Sequence, residues 1–280
     1  MIKRALLFLC YLLPLLMPLT YANNLKNTIH SSDPLLEQKV NDAISPHATL
    51  NPYFFTNEQF NNFIEKRLLH VGNYYFAKIK KKFPDAKLVD ILFVGSLAGY
   101  GYMNGSDVDL HLLIDFNVPC DKGLLNDYLT LLRTVWHSEK ISIGNYSVQI
   151  TPVSVRDEHG GVYSLLNHQW IEKPQREKIP YTKEELIHAI KTHQHELINL
   201  EKIYNQTPNT LNCQKLIDYA NALKIWRKQG LAQRGITSME NTTFRIMRAL
   251  GDLSTLTMTI QKCETHTVNS LLNPEPIKMQ

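Results

Sequence analysis

Apolar residues recur along the chain with a period that changes by region. From 57 to 82, Phe60, Phe63, Ile64, Leu68, Val71, Tyr75 and Ile79 follow helical spacing, which predicts an amphipathic helix capped at Thr56 and stopped by Pro84. Lys78, Lys80, Lys81 and Lys82 crowd its end, where cations oppose the negative terminus of the helix dipole. Leu88–Val94 and Ser106–Ile114 read as strands, and Gly123–Glu139 as a helix with Leu125, Tyr128, Leu129, Leu132 and Val135 on one side. Ile141–Ile143 and Tyr146–Ile150 flank Gly144-Asn145 as a hairpin, which Val153–Val155 extends.

Beyond Pro174 the pattern is purely helical. Thr182 and Glu185 form a capping box before a helix over 183–204. Gln214–Gln229 is a second helix ended by Gly230, Ser238 caps a third that runs to Leu250 and Gly251, and a fourth covers about 252–262. The expected class is α+β: a small mixed β-sheet core flanked by helices, followed by an all-α C-terminal region. The expected divisions are a signal peptide at 1–22, a leader at 23–50 with a short helix at 34–44, a core at 51–175, helices at 176–270 and a tail at 271–280.

Composition changes this picture mainly at the N-terminus. Lys3 and Arg4 precede an apolar run broken by prolines and ending at Thr20-Tyr21-Ala22. This is the pattern of a secretory signal peptide cleaved after Ala22. The expectation is an exported protein, periplasmic or secreted, with no stable membrane association after cleavage. Removal of Lys3 and Arg4 lowers the formal charge of +4 to +2, which gives no case for strong nucleic-acid binding. Cys10 leaves with the signal peptide. Of Cys120, Cys213 and Cys263 at least one stays unpaired within the chain; Cys213 and Cys263 pair, or all three are buried thiols.

The candidate chemistry lies at 92–114: Leu92-Phe93-Val94-Gly95-Ser96, ten further residues, then Asp107-Val108-Asp109-Leu110-His111-Leu112-Leu113-Ile114. Strand side chains alternate, so Asp107 and Asp109 share one face while Val108 and Leu110 point into the core. Two carboxylates on one face repel each other. A divalent cation offsets that cost, and hard oxygen ligands suit Mg²⁺ or Mn²⁺. Gly95 and Ser96, with Ser106 at the start of the returning strand, offer N–H groups and hydroxyls to a phosphate. On the C-terminal helices, Arg227 and Lys228 follow Lys224, and Arg245 and Arg248 lie three apart; both sets are candidate contacts for a polyanion. Tyr100 and Tyr102 are candidates for stacking on a base. His111 is assigned a structural role on the face opposite Asp109. Arg133 and His137 lack the spacing of a ribonuclease-type pair.

Apolar residue, Gly-Ser, ten residues and Asp-x-Asp resemble the signature of the DNA polymerase beta-type nucleotidyltransferase superfamily. Leu50-Asn51-Pro52-Tyr53-Phe54-Phe55, the run from Val94 to Tyr102, Gly161–Pro174, Arg227–Leu231 and Ser238–Arg248 resemble one subgroup, predicted nucleotidyltransferases of large bacteriophages and bacteria. The resemblance covers about residues 50–260. It implies a metal-dependent transfer of a nucleoside monophosphate from a nucleoside triphosphate to an acceptor hydroxyl on protein, RNA or a small molecule. Asp107 and Asp109 would hold the metal, and Gly95, Ser96, Ser106, Arg227 and Lys228 the nucleotide.

The superfamily adds a third carboxylate on a neighbouring strand, and the matching strand here places Gln149 at that position. Three readings stay open: Asp157 or Glu158 supplies the charge, one metal binds firmly and a second weakly, or the fold persists with impaired catalysis. Two rivals accompany the enzyme: an exported protein that binds metal–nucleotide without turnover, and an interaction protein in which the acidic pair is incidental.

Overall fold

The computed structural model describes residues 33–117, 122–156 and 160–272. The expected signal peptide, the first part of the expected leader, Cys120, Asp157, Glu158 and the last eight residues lie outside the described residues. Among the described residues the chain forms seven α-helices, a two-stranded hairpin and a six-stranded mixed sheet.

The first helix, α1 (Pro34–Ile44), precedes the hairpin of β1 (Phe55–Thr56) and β2 (Gln59–Phe60). This hairpin stands where the helix was expected to begin. Its turn residues Asn57 and Glu58 take left-handed backbone, with φ of 51° and 63°, as a tight two-residue hairpin turn requires. The helix α2 (Asn62–Lys80) starts later than Thr56, and Asn61 caps it by accepting from the Phe63 and Ile64 N–H groups. Ile64, Leu68, Tyr75 and Ile79 form its buried face, whereas Phe63 is exposed under the Arg67 guanidinium.

Next come β3 (Lys87–Val94), β4 (Val108–Asp115), α3 (Lys122–His137), β5 (Ser142–Ile143) and β6 (Tyr146–Val153). The strands β7 (Val162–Ser164) and β8 (Gln169–Glu172) follow in a stretch where periodicity predicted no strand. Sheet order is β5-β6-β4-β3-β7-β8. All pairings are antiparallel except that of β4 with β6, which the α3 crossover makes possible. One face packs Ile91, Phe93, Leu110, Leu112 and Ile150 against α2 and α3. The other carries a small apolar cluster of Leu92, Val94 and Val162 beside a polar row from β4 and β6.

The C-terminal region is all helical: α4 (Lys183–Gln206), α5 (Thr210–Arg234), α6 (Met239–Leu250) and α7 (Asp252–Leu272). The capping box at Thr182 and Glu185 is present, as are the Ser238 cap and the left-handed Gly251 stop at φ 90°. Gly230 does not end α5. It is buried inside the helix, where a Cβ would lie 2.6 Å from Glu240 Cβ, so its missing side chain lets α5 approach α6. The helix stops instead at Gly235, with φ 72°. A capped start at Asn209 and an end at Leu272 also make α5 and α7 longer than periodicity suggested.

Of the two cysteine readings, the structure contains the disulfide. Cys213 of α5 is bonded to Cys263 of α7 with Cα atoms 5.6 Å apart, in the core formed with Leu197, Leu216, Leu223 and Phe244. The bond closes a loop of separation 50, for which the chain-entropy estimate of stabilisation is about 4 kcal/mol. Reduction, or Cys263→Ser, is therefore expected to lower the unfolding free energy by about that amount. Urea denaturation with and without reductant measures it.

Candidate functional site

The site grows from the end of β3. Val94 leads into Gly95, whose φ of 78° and ψ of −160° are accessible to glycine, and the chain then enters a short 3-10 turn over Ser96–Ala98. A Cβ on Gly95 would sit 2.1 Å from Asp109 Oδ2. The bend thus presses bare backbone against the carboxylate of the next strand. The loop returns through Ser106, whose Oγ accepts from Ser96 Oγ and from the Met103 N–H, both at 2.9 Å.

Asp107 immediately precedes β4, and Asp109 lies within it. Register in the parallel pair matches Asp109 with Gln149 and His111 with Thr151. Side by side in register, these residues share a face of the sheet. The Gln149 Nε2 donates to Asp107 Oδ2, so Asp107, Asp109 and Gln149 form one group beside the Gly95 bend.

His111 corrects the expectation made for it. Residues two apart on a strand point the same way, and the burial alternation of β4 puts His111 on the Asp109 side. Its charge is one of the influences on Asp109.

Electrostatics follow from this crowding. Burial and then the Asp107 charge raise the Asp109 pKa to about 6, while His111, Arg248 and Arg133 act in the opposite direction. Arg133 and His137 thus enter the electrostatics of this face, although their spacing carries no recognisable signature. Burial and then Arg133 lower the His137 pKa, opposed by the Ile150 backbone and Asp107.

The helices contribute cations. Arg248 Nη1 lies 3.9 Å from Asp107 Oδ1. Arg227 donates through Nε to Asn241 Oδ1 at 3.0 Å. The Arg227 and Arg248 guanidiniums lie against the Phe244 ring, 4.8 and 5.6 Å from its centroid respectively. Arg245 donates to the Gly101 carbonyl. A cavity of about 70 Å³ between α6 and the returning loop is lined by Ser96, Ser106, Asp107, Arg245 and Arg248, among others. Lys228 is exposed and does not line it. Tyr102 has one ring face stacked on His47 at 3.8 Å, and Arg176 lies over Tyr100, so other side chains already cover these rings.

Among the described residues no group of three His, Cys, Asp or Glu side chains is placed to hold a metal. The set present is two carboxylates and a neutral amide. Magnesium is commonly held by one or two protein carboxylates together with substrate phosphates. The burial and the Asp107 charge that raise the Asp109 pKa are what a bound cation would offset. The residues therefore fit one hard cation shared with a phosphate ligand.

Two outcomes are expected. Gly95→Ala must move either the bend or Asp109, and is expected to cost at least about 2 kcal/mol in urea denaturation. For Asp109, the folded pKa of about 6 exceeds its ordinary value of 3.8. Its contribution to stability is therefore greatest below the lower value and declines as pH rises between the two. Without divalent ions, Asp109→Asn is expected to flatten that part of the stability profile and to be more stable than wild type at pH 7. Urea midpoints across the interval check both statements.

No family model, curated protein or solved structure matches the chain.

Proposed function

We propose that the chain is a metal-dependent nucleotidyltransferase, moving a nucleoside monophosphate from a nucleoside triphosphate to an acceptor hydroxyl. The observation that carries this reading is the grouping of Asp107, Asp109 and Gln149 on one sheet face, directly beside the Gly95–Ser96 bend. Bound there, Mg²⁺ or Mn²⁺ would neutralise phosphate charge and acidify the attacking hydroxyl. Asp107 and Asp109 would hold it. Ser96 and Ser106 would donate hydroxyl hydrogen bonds to the phosphates, and Arg227 and Arg248 would supply positive charge beside them. The acceptor hydroxyl releases its proton to solvent, its oxygen bonds to the α-phosphorus, the bond from that phosphorus to the bridging oxygen breaks, and pyrophosphate leaves.

A second reading is favoured by one residue. Gln149 stands beside Asp109 where the resemblance calls for an acid, and its NH₂ is turned toward Asp107. An amide adds no charge for a second cation and takes no proton from an acceptor. A chain of this kind binds metal–nucleotide without turnover. Export fits either reading, and its supports are the N-terminal pattern and the Cys213–Cys263 disulfide, a bond that persists in oxidising compartments.

The test is pyrophosphate release, and mass shift on mixed protein, RNA and small-molecule acceptors, with each ribonucleoside triphosphate and Mn²⁺. Transfer is expected in wild type and is expected to fall about 100-fold or more in Asp107→Asn. A silent wild type awakened by Gln149→Glu selects the second reading. Turnover unchanged by Asp107→Asn rejects the site.

A further inference from the structure

Aromatic rings gather on the other side of the sheet from the acid pair. Phe93 pairs with Tyr163, and Tyr163 with Trp170. Cross-strand partners share a face, so these rings lie on the α2 side, whereas Asp109 pairs with Val94 and lies on the opposite one. The β1–β2 hairpin packs over them. Phe55 is stacked on Trp170 with centroids 5.3 Å apart, and Phe60 lies 4.9 Å from Tyr163. Tyr163 meets Trp170 edge to face at 5.2 Å. The rings hold one another in place, and Phe60, Tyr163 and Trp170 wall a cavity of about 480 Å³. Glu58, His168 and Lys173, all exposed, line it as well.

Behind this wall stands a carboxylate short of partners. Glu65 lies in the first turn of α2 with its side chain only 6 % exposed. Its Oε1 accepts no hydrogen bond among the described residues. The group facing it is the imidazole of His168, with Nδ1 3.1 Å away on a side chain 62 % exposed. Burial and then the Glu65 charge raise the Tyr163 pKa to about 12, so the phenol keeps its proton and adds no negative charge of its own.

Buried carboxylates are ordinarily paired and fully hydrogen-bonded. This one is covered on its open side by a single surface side chain. An ammonium group offers three N–H donors and a full charge, and the faces of aromatic rings attract the same cation. Glu58 adds a second carboxylate to the cavity. Lys173 is exposed, and a stem of that length keeps its ammonium in water.

We propose that this cavity binds a small protonated amine carried on an apolar body. The ammonium takes the place of the His168 imidazole at Glu65, and the body lies against Phe60, Tyr163 and Trp170. The volume is that of an ordinary small-molecule site. The site is separate from the acid pair and requires no nucleotide.

Calorimetric titration of the disulfide-intact protein tests it, with phenethylamine, phenethyl alcohol and phenylacetate as ligands. Phenethylamine is expected to bind about tenfold or more tightly than the alcohol, and phenylacetate not at all. Glu65→Gln keeps the size of the side chain and removes its charge, and is expected to weaken the amine by about tenfold or more. His168→Gly removes the competing imidazole, and the left-handed backbone there, with φ of 56°, accommodates glycine. It is expected to tighten the amine by about two- to fivefold, a gain that misfolding cannot produce. Asp107→Asn is expected to leave the affinity unchanged, which separates this cavity from the acids across the sheet. Equal binding of amine and alcohol, no binding of the amine by wild type and His168→Gly, indifference to Glu65→Gln, weaker binding in His168→Gly, or loss in Asp107→Asn each overturns the proposal.

Discussion

The parallel pairing of β4 with β6 is the constraint on which the site depends. It sets Asp109 beside Gln149 and His111 beside Thr151, and it exists because α3 carries the chain from the end of one strand back to the start of the other. A shift by one residue would turn Asp109 and His111 into the core and Val108 and Leu110 outward. Val108, Leu110 and Leu112 are fully buried, so the apolar face fixes the register that groups the polar one. The carboxylates are held together, against their repulsion, by the burial of side chains on the opposite face.

Much of this was legible because it is local. The alternation Val108, Leu110, Leu112 and Ile114 marks β4, and the same alternation places the two acids together. Gly95 announces a bend because few other residues adopt its backbone angles. Helix ends with side-chain signals, Thr182 with Glu185 and Ser238 before Gly251, could be read from a few adjacent residues. His111 was legible too: the period-2 rule that pairs Asp107 with Asp109 also pairs Asp109 with His111.

What escaped has non-local causes. Phe60 fits both a helical stripe and a hairpin, and the left-handed turn at Asn57 and Glu58 decides between them. Strands as short as β7 carry no periodic signal; β7 forms because Phe93 pairs with Tyr163 and Leu92 with Ser164. Gly230 is an ordinary helix stop by sequence, and only the neighbouring Glu240 shows that its missing Cβ serves packing. The distinction between Arg227, drawn to the carboxylates, and exposed Lys228 is a matter of about 100° around α5, and the adjacent pair gives no hint of which one faces inward.

The C-terminal helices must hold repelling guanidiniums in place, and their construction explains how. Phe244 offers the electron-rich face of an aromatic ring to both Arg227 and Arg248. Asn241 fixes the Arg227 Nε, and its own NH₂ donates to the Ile236 carbonyl, so this contact is anchored to the backbone between α5 and α6. Gly230 lets those helices meet closely, and Cys213–Cys263 binds α5 to α7 in the core that also contains Phe244. The repulsion among these guanidiniums is borne by packing and by a covalent bond. The helical region is therefore more than a lid on the sheet. It is the brace that keeps positive charge where Asp107 and Asp109 alone would not retain it.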